Sequence, residues 1–238
     1  PRTVSAASYS FSAIAGKSIV SAFGSNLAAS MAIAVTNPLP VLLAGASVTV
    51  QDFKGVERLA PLFYVSPTQI NYQIPPGTAA GPALVTILTD DGNMSVANIQ
   101  INSIAPGLFS ANANGTGWAS GVALRVLNGN QQRYEAITQY DTATKKYVAV
   151  PLDVTAASGQ VYLVLYGTGL RQRSSLSNVV CTIGGVPATV SFAGKQGGMV
   201  GVDQLNILVP SSLAGRGAVD IAVTVDGKPN NIVKVQIK

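Results

Sequence analysis

Apolar residues recur along this chain in runs of four to eight, rich in Val, Ile, Ala and Thr, and Gly, Pro, Asn or Asp closes most of them. Short β-branched runs bounded by turn formers read as strands. No segment sustains a 3.6-residue period, and residues 28–35 are the one stretch that predicts a short helix. The pattern predicts an all-β fold.

The runs are also repeated. Gln69-Ile70-Asn71-Tyr72-Gln73-Ile74-Pro75 matches Gln204-Leu205-Asn206-Ile207-Leu208-Val209-Pro210 at an offset of 135. At that offset Thr89 meets Thr224 and Asp91-Gly92 meets Asp226-Gly227; at 136, Ile99-Gln100-Ile101 meets Val235-Gln236-Ile237. Upstream, Phe23-Gly24-Ser25-Asn26-Leu27 echoes Tyr166-Gly167-Thr168-Gly169-Leu170 at an offset of 143. Ordered matches with small changes of offset indicate duplication with loop insertions.

Each half predicts the same strand plan. An opening strand (18–23 or 160–166) is followed by one at 47–51 or 179–183, then by the Gln-x-Asn strand. A closing hairpin pairs 83–89 with 96–101, or 218–225 with 232–237, and its Asp-Gly turn predicts type I′ geometry. About seven short strands per ~100 residues argue for a sandwich. The chain thus predicts two tandem immunoglobulin-like β-sandwich modules, 1–103 and 104–238, the second with an added β-hairpin around 122–151. That insertion reads as a Gly/Asn-rich loop (112–121), a strand (122–127) and a turn at Asn128-Gly129-Asn130. A hairpin follows, pairing 133–140 with 145–150 around Asp141-Thr142-Ala143-Thr144.

Composition changes this picture little. Hydrophobic residues make up 47% of the chain, yet no stretch nears the ~18 apolar residues of a spanning helix. The net charge of +5 comes from scattered bases with no interleaved aromatic stripe, which argues against nucleic acid as a partner. Cys181 is the sole cysteine and excludes an intrachain disulfide; its repeat counterpart Val48 marks it as a small buried hydrophobe. The chain opens at Pro1 without a charged and apolar leader, the look of a processed or excised piece whose targeting signal lies elsewhere.

The chemistry is defined mainly by what is missing. There is no histidine, which excludes Ser-His-Asp, Cys-His and His-metal arrangements. Lys17 and Ser18 are strand neighbours that point to opposite faces, and the ten carboxylates nominate no facing pair. Gly115-Thr116-Gly117 and Gly167-Thr168-Gly169 lack the Gly-Lys-Ser/Thr continuation of a phosphate loop. Asp90-Asp91-Gly92-Asn93 offers oxygen donors for a weak calcium site, but Val225-Asp226-Gly227-Lys228 replaces two of them, which favours a plain hairpin turn. The expectation is a non-enzyme without metal or cofactor.

Several motifs resemble an uncharacterised C-terminal domain family of exported Solibacter-type acidobacterial proteins. In the first half they are Gly24-Ser25-Asn26-Leu27, Val65-Ser66-Pro67-Thr68-Gln69-Ile70-Asn71 and Ala105-Pro106-Gly107-Leu108-Phe109. In the second they are Tyr166-Gly167-Thr168-Gly169-Leu170-Arg171, Gly197-Gly198-Met199-Val200-Gly201-Val202-Asp203 and Leu213-Ala214-Gly215-Arg216-Gly217. The modules are also similar to immunoglobulin-like folds of the IPT/TIG type. The resemblance implies a C-terminal module of a large exported protein, secreted or at the cell surface, with that protein's upstream domains as neighbours. It carries no functional residues over.

Three groups of residues stand out. Gln69 with Asn71, and Gln204 with Asn206, place two amides on one strand face; a structural role, bonding backbone groups, is expected. In the added hairpin, pairing Tyr140 with Lys145 and Thr138 with Tyr147 puts Tyr134, Thr138, Tyr140, Lys145 and Tyr147 on one face, and Ile137, Val148 and Val150 on the other. The tyrosines then either pack against the neighbouring module or the Trp118 loop, or stand exposed to a glycan or protein. Beside a short linker stiffened by Pro106, Phe109 is expected to be buried and to hold the modules in one orientation. The leading reading is a non-catalytic structural or spacer module. Its alternatives are a carbohydrate-binding or adhesion module and an accessory domain of an exported enzyme.

Overall fold

The computed structural model describes residues 1–12, 14–127, 131–155, 157 and 159–238. Among them there is no α-helix, and short 3-10 turns lie at Leu176–Asn178 and Ser211–Leu213. In the first half, a front sheet pairs Arg2–Ser5, Ile19–Phe23, Gln69–Gln73, Leu62–Val65 and Ala32–Ile33 in that order. A back sheet orders Ile14–Ala15, Met94–Asn102, Gly81–Thr89, Ala46–Asp52 and Leu42–Leu43, with Glu57–Leu59 beside Ala46–Asp52. Alternation sends one face of each sheet inward: Val20, Ile70 and Tyr72 from the front meet Val48, Val50, Val85 and Ile87 from the back.

The second half repeats the arrangement. Its front sheet orders Gln132–Ala136, Gly121–Val126, Gln160–Thr168, Asp203–Leu208 and Val190–Lys195. Its back sheet orders Val186–Ala188, Val179–Ile183, Gly217–Val225 and Lys228–Pro229, with Val233–Ile237 also on Gly217–Val225. A separate core holds Leu163, Leu165, Ile207, Ile221, Val223 and Val235. Both halves are therefore immunoglobulin-like two-sheet sandwiches, and the fold is all-β.

The repeat is visible in the register. Phe23 lies opposite Gln69 as Tyr166 lies opposite Gln204. In the closing hairpins Gly81 faces Ile101 and Gly217 faces Ile237, so both strands correspond at 136. The match of Thr89 to Thr224 is thus one residue off: buried Thr89 corresponds to buried Val225. One extra residue between Pro210 and Gly217, relative to Pro75 and Gly81, shifts the count, because alternation forbids a one-residue slip on a buried face. The turns differ as well. Asp226 and Gly227 both have positive φ (47° and 77°), the expected type I′ turn. In the first half only Gly92 does (82°), and its N–H donates to Thr89 O at 3.0 Å, so the longer loop is a type I turn with a glycine bulge.

The short helix expected at 28–35 is absent. Ala32–Ile33 is a strand against Tyr64 and Val65, and Ala34 N–H donates to Phe63 O at 2.9 Å. An isolated two-turn helix is marginal in water, whereas the sheet edge offers backbone partners. The turn expected at 128–130 lies outside the described residues.

At the joint, Gly107–Leu108 pairs with Gly167 and Thr168. Alternation turns Leu108 into the second core and leaves Phe109 only half-buried, so the burial expected of Phe109 falls to Leu108. Asn231 closes the other edge: its amide accepts from Leu108 N–H (2.9 Å) and donates to Leu108 O (2.9 Å) and Gly115 O (2.8 Å). Across the joint, the fully buried Thr168 hydroxyl accepts from Ile19 N–H at 2.9 Å and donates to Gly201 O at 2.8 Å. Gly201 has φ 72°, and a Cβ there would lie 2.5 Å from Ile19 Cγ1, so this approach requires glycine. The Tyr9 hydroxyl donates to Ala113 O.

Candidate functional site

The added segment does not form one long hairpin. Gln132–Ala136 pairs with Gly121–Val126 as the outermost strand of the front sheet, Tyr134 opposite Leu124. The chain then bends at Ile137, whose side chain enters the second core. Beyond it Thr138–Asp141 pairs with Lys146–Ala149 as a separate two-stranded sheet. Burying Ile137 breaks the strand that the sequence pattern reads as continuous from 133 to 140.

The hairpin register also differs from expectation by two residues: Tyr140 faces Tyr147 and Thr138 faces Ala149. A four-residue connection of 142–145, not 141–144, accounts for the shift. Asp141 organises it, accepting from Ala143 N–H (2.9 Å) and Thr144 Oγ1 (2.7 Å), while Lys145 takes φ 53° in the turn. A shift of two preserves the face, so Thr138, Tyr140 and Tyr147 still share one side. Tyr134 belongs to the front sheet and Lys145 to the turn, so the five residues are not one row.

All three tyrosines stand in solvent: Tyr134 is 67%, Tyr140 54% and Tyr147 43% exposed. The Tyr140 and Tyr147 rings meet edge-on, centroids 5.4 Å apart at 69°, which makes a notched surface and not a flat platform. Asn112 in the Gly/Asn-rich loop pins this hairpin by accepting from Tyr147 N–H (2.8 Å) and donating to Tyr147 O (2.9 Å). An asparagine in a loop gives no sequence signal for such a role.

The amide pairs are built alike in both modules. Gln69 Nε2 donates to Asn71 Oδ1 at 2.8 Å, and Gln204 Nε2 donates to Asn206 Oδ1 at 2.8 Å. The expected bonds to backbone are replaced by bonds between the amides, because residues two apart on a strand face the same side. All four residues are half-buried.

Buried charges are what the sequence reading missed. Asp203 is fully buried; Arg171 Nε donates to it at 2.5 Å, and the N–H groups of Leu170 (2.8 Å) and Arg171 (3.2 Å) do too. Burial pushes its carboxyl above the usual range, and the Arg171 guanidinium and the peptide donors pull it back. In the first module Asp52 accepts from Arg58 (2.8 Å), Ala79 N–H (3.1 Å) and Lys54 N–H (3.0 Å); these donors, Ala79 foremost, hold its carboxyl below the usual range. Arg125 grips Glu135 through two bonds of 2.7 and 2.8 Å and, with Arg133 beside it, holds that carboxyl at about 2. The signal available was scarcity: with ten acids in the chain, an Asp inside an apolar run, as in Val202-Asp203-Gln204-Leu205, asks for a partner.

Other candidates are placed plainly. Cys181 is buried in the second core, and burial pushes its thiol up to about 12. Asp91 accepts from Thr89 Oγ1 and Asn93, whereas Asp90 lies against Gly45, so the two carboxylates serve different turns. Among the described residues no group of three or more Cys, Asp or Glu gathers as a metal site, and no helix is long and apolar enough to cross a membrane.

No family model and no curated protein matches this chain. Among solved structures it is similar to SGBP-B of the mixed-linkage glucan utilization locus of Bacteroides ovatus, in complex with a mixed-linkage heptasaccharide. Identity is 13% and the TM-score 0.34, over 96% of this chain and 44% of that one. Murine CEACAM1b is matched at 9% identity and a TM-score of 0.19, over 95% of both chains. The chain spans less than half of the Bacteroides protein, and neither likeness is close enough to bear on function.

Proposed function

We infer that this chain is a non-catalytic structural module of a secreted or cell-surface bacterial protein, in which two joined sandwiches hold or present that protein's upstream domains. The observation that carries this reading is the joint: one buried hydroxyl, Thr168, bonds Ile19 of the first half and Gly201 of the second. A spacer needs a fixed geometry more than a pocket, and glycine-permitted close contact supplies it. Solution scattering should fit a single orientation of the two modules. A requirement for a broad ensemble of angles would overturn the reading. Thr168→Val keeps the shape and strands the Ile19 N–H, so it should lower stability by about 1–3 kcal/mol.

A second reading, carbohydrate binding or adhesion, is favoured by the exposure of Tyr134, Tyr140 and Tyr147. Exposed aromatic rings stack on sugars and anchor interfaces. Retardation in gels containing neutral glucans, abolished by Tyr140→Ala with Tyr147→Ala, would establish it. Equal mobility with and without each polymer would rule it out for those glycans.

A further inference from the structure

A second surface, lined by none of the three tyrosines, carries chemistry of its own. Beside the Thr168 cross-link lies a cleft of about 490 Å³ lined by residues from both halves. Lys17 enters from the first half, Arg171 and Lys195 from the second, and Asn37, Pro76 and Met199 complete the walls. Among the described residues no carboxylate pairs with Lys17 or Lys195. Arg171 is tied to Asp203 through Nε and to Val202 O through Nη2, bonds that leave Nη1 unused. Three cationic side chains thus share one concavity that, among the described residues, no carboxylate lines, and the partner of Arg171, Asp203, is fully buried.

The cleft is also built and not incidental. Thr168 fastens the start of the strand after Lys17, the end of the strand before Arg171 and the loop after Lys195, which are the three segments supplying the charges. Gln73 Nε2 donates to Lys17 O at 2.9 Å and holds that backbone in place. Gln196 Oε1 accepts from Gly198 and Met199 N–H, both at 2.7 Å, which fixes the glycine-rich wall. The backbone that carries the charges is thus held in place, which lowers the ordering cost of binding.

We propose that this inter-module cleft binds a carboxylate-bearing saccharide, a uronic-acid segment of an acidic glycan. The volume falls in the range of small-ligand sites, ~300–1,000 Å³, and exceeds what a lone inorganic anion fills. The cations meet the carboxylate, Asn37 offers an amide to hydroxyls, and Pro76 with Met199 give apolar surface for the C–H face of a sugar ring.

The test uses the whole chain and calorimetric titration with an oligogalacturonate, a neutral gluco-oligosaccharide, inorganic phosphate and a short peptide with a free C-terminus. The oligouronate should bind, and more weakly at high salt. Lys17→Gln with Lys195→Gln should weaken it about tenfold or more, since a bond to a charged group is worth more than ~1.4 kcal/mol. Gly197→Glu should do the same without disturbing the fold, because a Cβ at Gly197 meets nothing within 4 Å. Tyr140→Ala with Tyr147→Ala should change nothing, which separates this site from the tyrosine face. The proposal is overturned if oligouronate does not bind, if the neutral sugar, phosphate or peptide binds as tightly, or if the charge variants bind like the parent.

Discussion

The two modules solve one problem alike and another differently. Both carry an amide pair on the front-sheet strand that pairs with the opening strand, with the same 2.8 Å bond in each. Their buried aspartates, by contrast, sit at unrelated places. Asp52 lies at the end of a back strand and gathers the turn around Arg58; Asp203 begins a front strand and gathers the segment at Arg171. What is shared belongs to the strand itself and what differs belongs to connections unique to each module. The two sandwiches share sheet chemistry while their loops carry separate fastenings.

The comparison is most exposed at Asp203. Asp203→Ala leaves Arg171 and two peptide donors without their buried acceptor, and should cost about 3–5 kcal/mol in urea unfolding. A cost no larger than that of the amide variants would mean that the charged fastening does not matter. Next comes the acid side. Glu135 is held at about 2 against an ordinary 4.5, so its contribution is complete above the ordinary value and is lost as pH falls from about 4.5 to about 2. Glu135→Gln should flatten that part of the stability profile, measured by thermal melts across acid pH; an unchanged slope would show that Arg125 and Arg133 do not stabilise the charge.

Asn71→Ala and Asn206→Ala sharpen the shared half of the comparison. Each removes one partner of the same half-buried bond, so each should cost about 0.5–1.5 kcal/mol, and the two costs should agree. A clear inequality would mean that the pairs are alike in shape only. The smallest effect is expected at Tyr72, whose buried hydroxyl has only the equally buried Thr3 hydroxyl near it, without a well-formed hydrogen bond, and whose counterpart is Ile207. Tyr72→Phe should unfold at the same or slightly higher denaturant concentration. A loss of more than about 1 kcal/mol would reveal a bond that the hydroxyl makes.

The all-β class and most of the strands were legible because period-two alternation and turn residues are local signals. The candidate face was legible only in part. Which side Tyr140 and Tyr147 occupy follows from alternation, and survived a register error of two. That Tyr134 stands on another sheet did not follow, because the bend depends on Ile137 finding room in a core assembled from distant strands. The joint cleft was not legible at all: Lys17, Arg171 and Lys195 are ordinary scattered bases in the chain, brought together only when Thr168 joins three segments.

Most of the strands, their inward faces and the Asp-Gly turn of the second hairpin followed from local pattern, since each rests on neighbours within a few residues. Long-range packing settled that Leu108 and not Phe109 is buried, and which bases face an acid and which face solvent. Those outcomes depend on contacts between residues tens to more than a hundred positions apart, whose geometry is set by how the sheets pack and not by any local pattern.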